Sequence, residues 1–186
     1  MAGLPHYRNS KAAMDRFEPV FNSQFEITIT PPAAVTDWPL TMENVLKVGG
    51  LDTNRLPAVV EQKYKSAKRS FAGGINENTT IDLQLDFEVN LNKANSMYVY
   101  KSLRKWCDLV YDPLTGRMGL KRDYAAPGPI IVNMFNKAGD IFRQVKLYGA
   151  FPTTPITAIE LDYSNNDIYR ITGFTLRCDY WEETIL

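Results

Sequence analysis

From Ile81 to Leu91 the sequence alternates without a fault. Ile81, Leu83, Leu85, Phe87, Val89 and Leu91 fall on one side, and Asp82, Gln84, Asp86, Glu88 and Asn90 on the other. Only an extended backbone sorts these two sets, because its side chains point to opposite faces in turn. The period of two therefore predicts one long strand with a dry face and a wet, acidic face.

Other strands are expected around it. Phe25, Ile27 and Ile29 alternate with Glu26 and Thr28, and Pro31-Pro32 ends that run. Residues 33–56 read as irregular, with short apolar stretches around Val45, Leu46 and Val48 and a turn at Gly49-Gly50. Residues 57–72 read as a β-hairpin rich in Lys and Arg. It has few large apolar residues, so it must be exposed or packed on something else. Gly73-Gly74 and Asn76 to Asn78 turn the chain into the alternating strand.

One helix is expected over about 95–111, where Val99, Leu103, Trp106, Cys107 and Val110 form a single apolar stripe. Asn95 or Ser96 can cap its start, and Pro113 and Gly116 close it. Residues 112–128 read as a loop. Strands follow at Ile130–Phe135 and Ile141–Tyr148, joined by a turn at Lys137 to Asp140. A loop runs from Gly149 to Asp162, and a last long strand from Ile168 to Trp181. Residues 1–22 read as an extended arm and 23–186 as a single domain. The order predicts an α+β fold: one α-helix packed against an antiparallel β-sandwich or half-barrel.

Composition excludes several functions. Lys plus Arg total 21 and Asp plus Glu total 21. That balance argues against a protein gripping the phosphate backbone over a wide surface. No run of about 18 apolar residues exists, so no transmembrane helix or membrane anchoring is expected. The N-terminus lacks the apolar segment of a signal peptide, which predicts a cytoplasmic protein. Cys107 and Cys178 sit in apolar patterns and read as buried thiols, with nothing that demands a disulfide. His6 is the single histidine and lies in the arm. No metal-binding spacing occurs, so no metal and no cofactor are implied. Gly73-Gly74 precedes no helix and reads as a turn, not a phosphate cradle.

Asp82, Asp86 and Glu88 stand on one open strand face, about 7 Å apart per step. Nothing there would desolvate one carboxylate and spare another, as acid–base catalysis requires. They read as a solvated face or, more sharply, as a wall that repels polyanions. Lys63, Lys65, Lys68 and Arg69 on the hairpin suit either nucleic acid or a neighbouring subunit that presents acid. The residues describe a domain with no active site, so no enzyme is expected. Long strands with unpaired edges are a hazard that ring closure with further copies would remove.

The C-terminal third carries a resemblance. Its features are Gly149, Phe151 and Pro152, then Asp162-Tyr163, then Ser164, Asn165 and Asn166, and last Asp179, Tyr180, Trp181 and Glu182. In that order they resemble the end of the tail tube protein of contractile-tailed phages, a family related to type VI secretion and tailocin tubes. Phe25-Glu26-Ile27, Leu56-Pro57 with Val60-Glu61, and the helix with Trp106 fall in the family's order. The segments near 31–45 and 112–128 look like insertions.

The resemblance implies a hexameric ring whose strands join into one continuous β-barrel, with rings stacked into a hollow tube. Asp82, Gln84, Asp86, Glu88 and Asn90 would face the lumen. Phe17 and Phe21 of the arm, with Lys63, Lys65, Lys68 and Arg69, would bridge subunits or rings. The implied partners are copies of the chain, a contractile sheath, baseplate and tail terminator proteins, and genomic DNA that passes without specific binding. The place of action would be the virion tail, assembled in the host cytoplasm. A tube of a DNA-free injection machine, a baseplate tube initiator and a monomeric β-barrel binding protein stay open as alternatives.

Overall fold

The computed structural model describes residues 20–53, 58–73, 79–91, 97–159, 162–164 and 166–186. The elements run β1 (Phe25–Thr28), α1 (Trp38–Met42), β2 (Val45–Gly49), β3 (Val59–Tyr64), β4 (Ala67–Ala72) and β5 (Ile81–Glu88). They continue with α2 (Tyr98–Val110), β6 (Tyr111–Asp112), β7 (Arg117–Met118) and α3 (Lys121–Tyr124). The chain ends with β8 (Ile130–Phe135), β9 (Ile141–Tyr148), β10 (Phe151–Pro152), β11 (Arg170–Cys178) and β12 (Tyr180–Ile185). Two four-stranded antiparallel sheets carry the fold, in the orders β1-β8-β9-β12 and β10-β11-β5-β2. The hairpins β3–β4 and β6–β7 stand apart as two-stranded ribbons. The α+β class is as expected, with the two sheets of one chain separate.

One core joins both sheets. Ile27, Val132, Val145 and Leu147 come from the first, and Leu83, Leu85, Phe87, Phe174 and Leu176 from the second. On β5 the predicted alternation is realised: Ile81, Leu83, Leu85 and Phe87 are buried while Asp82 and Gln84 are exposed. The strand stops at Glu88, short of the expected Leu91, and Leu91 is 62% exposed. The ladder to β11 ends at the Arg170–Glu88 pair, and Val89 makes one last bond to the Tyr169 carbonyl. Without a paired strand, alternation alone does not bury a side chain.

On α2, Val99, Leu103 and Trp106 are fully buried, as the apolar stripe requires, while Cys107 and Val110 are half-buried. The helix starts after Met97, and the expected caps Asn95 and Ser96 lie outside the described residues. It is not the sole helix. Trp38 on α1 packs edge-on against Trp106 at 5.1 Å and against Phe87 at 6.3 Å. Phe87 in turn meets Phe174 at 6.1 Å, so four aromatic rings link α2, α1 and the second sheet. Residues 33–56, expected to be irregular, thus contain α1 and the edge strand β2. The 112–128 loop contains part of the β6–β7 hairpin and α3, which is tied back by the Trp106 Nε1–H donating to the Tyr124 carbonyl at 2.8 Å.

The expected last strand is two strands in different sheets. Its first part, β11, pairs with β5 in the second sheet. At Asp179 the chain crosses over, and β12 pairs with β9 in the first. In the sequence the alternation Phe174, Leu176, Cys178 runs on to Tyr180 and hides this crossing, but in the structure the phase shifts there: Tyr180 is exposed and Trp181 turns to the core.

Candidate assembly surfaces

Three surfaces and one corner carry the residues singled out in the sequence. The first surface is the outward face of β5. Each acid of the row stands opposite a base on a neighbouring strand: Asp82 opposite Arg177, Asp86 opposite Lys47, and Glu88 opposite Arg170. Arg177 donates to both Asp82 carboxylate oxygens, at 2.8 and 2.9 Å, and this hydrogen bond holds the Asp82 carboxyl below its ordinary range. Lys47 Nζ lies 4.0 Å from Asp86. The other Asp86 oxygen accepts from the Gly173 N–H at 2.7 Å, at a bulge where Gly173 has a left-handed φ of 68°. Asp86 therefore anchors a bulge, and the face is a laced pattern of both signs instead of a bare acidic wall. Asn90 lies beyond the strand and donates to the Asn44 side chain at 2.7 Å.

The second surface is the β3–β4 hairpin, where the expected hairpin forms with every residue of both strands exposed. Pairing places Val60 opposite Phe71, Gln62 opposite Arg69, and Tyr64 opposite Ala67 on one face. Val59, Glu61 and Lys63 share the other face with Ala72, Ser70 and Lys68. Arg69 lies over the Tyr64 ring at 5.8 Å, and Lys68 pairs with Glu61. Lys65 occupies the turn. The ribbon thus has an aromatic and aliphatic face and a charged one, neither of them buried.

The third surface is a seam between β1 of the first sheet and β2 of the second. One stretch, of about 610 Å³, is lined by Phe21, Phe25, Leu46, Val48, Val132 and Met134 among others. A contiguous stretch of about 670 Å³ shares Ser23, Phe25 and Leu46 with it and adds Glu26, Pro39 and Glu43. Phe21, expected at a contact between copies, sits here with Lys137 Nζ over its ring at 4.9 Å. Phe17 lies outside the described residues.

The corner gathers much of the C-terminal motif. Gly149 has a φ of 69°, and a side chain there would run into the Asp179 carboxylate. Lys121 Nζ holds that carboxylate at 2.6 and 2.7 Å and lies 5.4 Å from the Phe151 ring centre. Pro152 and Ala150 are buried, and Trp181 packs on the core. Tyr180 stacks on Tyr148 at 4.6 Å, and the Tyr148 hydroxyl donates to Glu182 at 3.0 Å. Asn166 is exposed, and Asn165 lies outside the described residues. The motif is therefore a device for passing the chain from one sheet to the other.

Neither thiol is poised for chemistry. Both are free, and burial pushes Cys107 up to about 11 and Cys178 up to about 12, so each stays protonated at neutral pH. What these surfaces offer is hydrogen bonding, ion pairing and apolar burial.

No protein-family model matches the sequence, nor does any curated protein. Solved structures do match. A chain of the sheath–tube complex of an extracellular contractile injection system, PVC, in its extended state aligns over 95% of this chain and 99% of its own, with a TM-score of 0.58 and 17% identity. The chain shares its fold with contractile-injection-system components. A chain of the tube-terminating cap of the anti-feeding prophage aligns over 91% and 93%, with a TM-score of 0.57 and 17% identity. A chain of the PVC sheath/tube terminator aligns over 91% and 99%, with a TM-score of 0.56 and 17% identity.

Sequence reading missed the bases opposite the acidic row and the seam with Glu26 and Glu43. The first needed strand register, and the second needed to know that β1 and β2 border different sheets. A signal for α1 was present: Val35, Trp38 and Met42 recur at helical spacing, with Pro39 at the start of the helix.

Proposed function

We propose that this chain is a structural subunit of the inner tube of a contractile phage tail, stacking as hexameric rings into a conduit for DNA ejection. The likeness to a chain of a sheath–tube complex, nearly end to end in both molecules, carries this reading. The exposed hairpin supports it, since a two-stranded ribbon that buries nothing on its own chain is built to be covered by another. The role is structural and not enzymatic. Its partners are copies of itself, a contractile sheath, and baseplate and terminator proteins, in a virion tail assembled in the host cytoplasm.

In this reading Asp82, Gln84, Asp86, Glu88 and Asn90 face the lumen. Their lacing to Arg177 and Lys47 makes that wall nearly neutral. Such a wall neither holds a polyanion nor strongly opposes its entry, so DNA slides. A second reading, a tube-terminating cap or a tube of a machine that carries no DNA, is favoured by the likeness to the anti-feeding prophage cap and the PVC terminator. Negative-stain microscopy of the purified chain separates a tube subunit, whatever its cargo, from a cap. Stacked tubes support the tube subunit, single rings that do not stack support the cap, and a monodisperse monomer at high concentration overturns both.

A further inference from the structure

Two surfaces of this chain complement one another yet do not meet within it. The hairpin offers Val60, Tyr64 and Phe71 on one face, with Arg69 on that same face and Lys65 in the turn beside it, while Lys63 and Lys68 stand on the opposite face. The β1–β2 seam offers an apolar floor of Phe25, Leu46 and Val48, with Glu26 and Glu43 along its second stretch. No residue of the hairpin lines the seam of its own chain. Gln24, also on the seam, holds a buried side-chain oxygen that no described donor reaches.

We propose that the seam receives the β3–β4 hairpin of a second copy, apolar face inward, with the hairpin's bases set against Glu26 and Glu43. This rests on the reading of the chain as a self-assembling subunit and names the receiving surface. Apolar burial supplies the affinity, and the opposed charges fix partner and orientation. Donor and acceptor surfaces differ, so the contact is heterologous and repeats from copy to copy without using itself up. An arginine such as Arg69 brings the donor that the Gln24 oxygen lacks.

The test has two arms. Glu26→Lys with Glu43→Lys should lower the assembled fraction by about tenfold, as should Lys65→Glu with Arg69→Glu, and all four changes in one chain should restore assembly. Separately, Phe71→Cys chains mixed with Leu46→Cys chains and a short bis-maleimide linker should give a crosslinked pair that the unmodified chain, with Cys107 and Cys178, does not give. This arm does not depend on the charge variants folding. Tubes or rings that form without that crosslink, or that survive reversal of Glu26 and Glu43, overturn the seam assignment and leave the tube reading standing. An unmodified chain that never assembles overturns the tube reading, and this inference with it.

Discussion

The β3–β4 hairpin and β5 are neighbours in sequence, both regular and both sorted into two chemically distinct faces. Their fates are opposite. β5 buries every second side chain between its own sheet partners and the core, while the hairpin buries none. The difference lies in pairing: β5 is flanked by β11 and β2, whereas β3 and β4 have only each other. The core is thus built on β5 and owes nothing to the hairpin, so that changes in the hairpin should leave the core intact.

The comparison breaks first at Leu85, which is fully buried at the centre of β5. Leu85→Ala should cost about 2–5 kcal/mol in a denaturant titration, since it leaves a cavity among packed rings. A cost below that range would mean that β5 is not the spine of the core. Gly149→Ala is the intermediate case, because it forces a left-handed residue to carry a side chain into Asp179. It should cost about 1–3 kcal/mol, read as a lowered midpoint of thermal unfolding. Phe71→Ser is the smallest. It should change the stability of the unassembled chain by no more than about 0.5 kcal/mol, because Phe71 touches little at 47% exposure. A large loss there would show that the hairpin supports its own domain.

What was legible in the sequence follows the same division. The alternation of Ile81–Phe87, the stripe Val99–Leu103–Trp106 and the hairpin all announce themselves through local period. The turn at Gly139 does so through a residue that tolerates its φ of 91°. Relations between distant strands stayed hidden. Arg177 and Asp82 are 95 residues apart, so their ion pair could not be read from either neighbourhood. The crossing at Asp179 is masked because Tyr180 continues the apolar alternation of Phe174, Leu176 and Cys178 in sequence yet is exposed in the fold, although Gly149, Phe151 and Asp179 belong to one motif. Their meeting around Lys121 gives that set its physical reason. For the candidate surfaces, the hairpin's charge was visible beforehand, but its apolar face appeared only once Val60 was seen opposite Phe71.

The passage of one unbroken segment from β11 into β12 has a mechanical consequence. Residues 170–185 are hydrogen-bonded to β5 at one end and to β9 at the other. A load applied to one sheet therefore reaches the other through covalent backbone as well as through the oily layer between them. Sliding one sheet past the other would then have to break the β11–β5 ladder or the β12–β9 ladder.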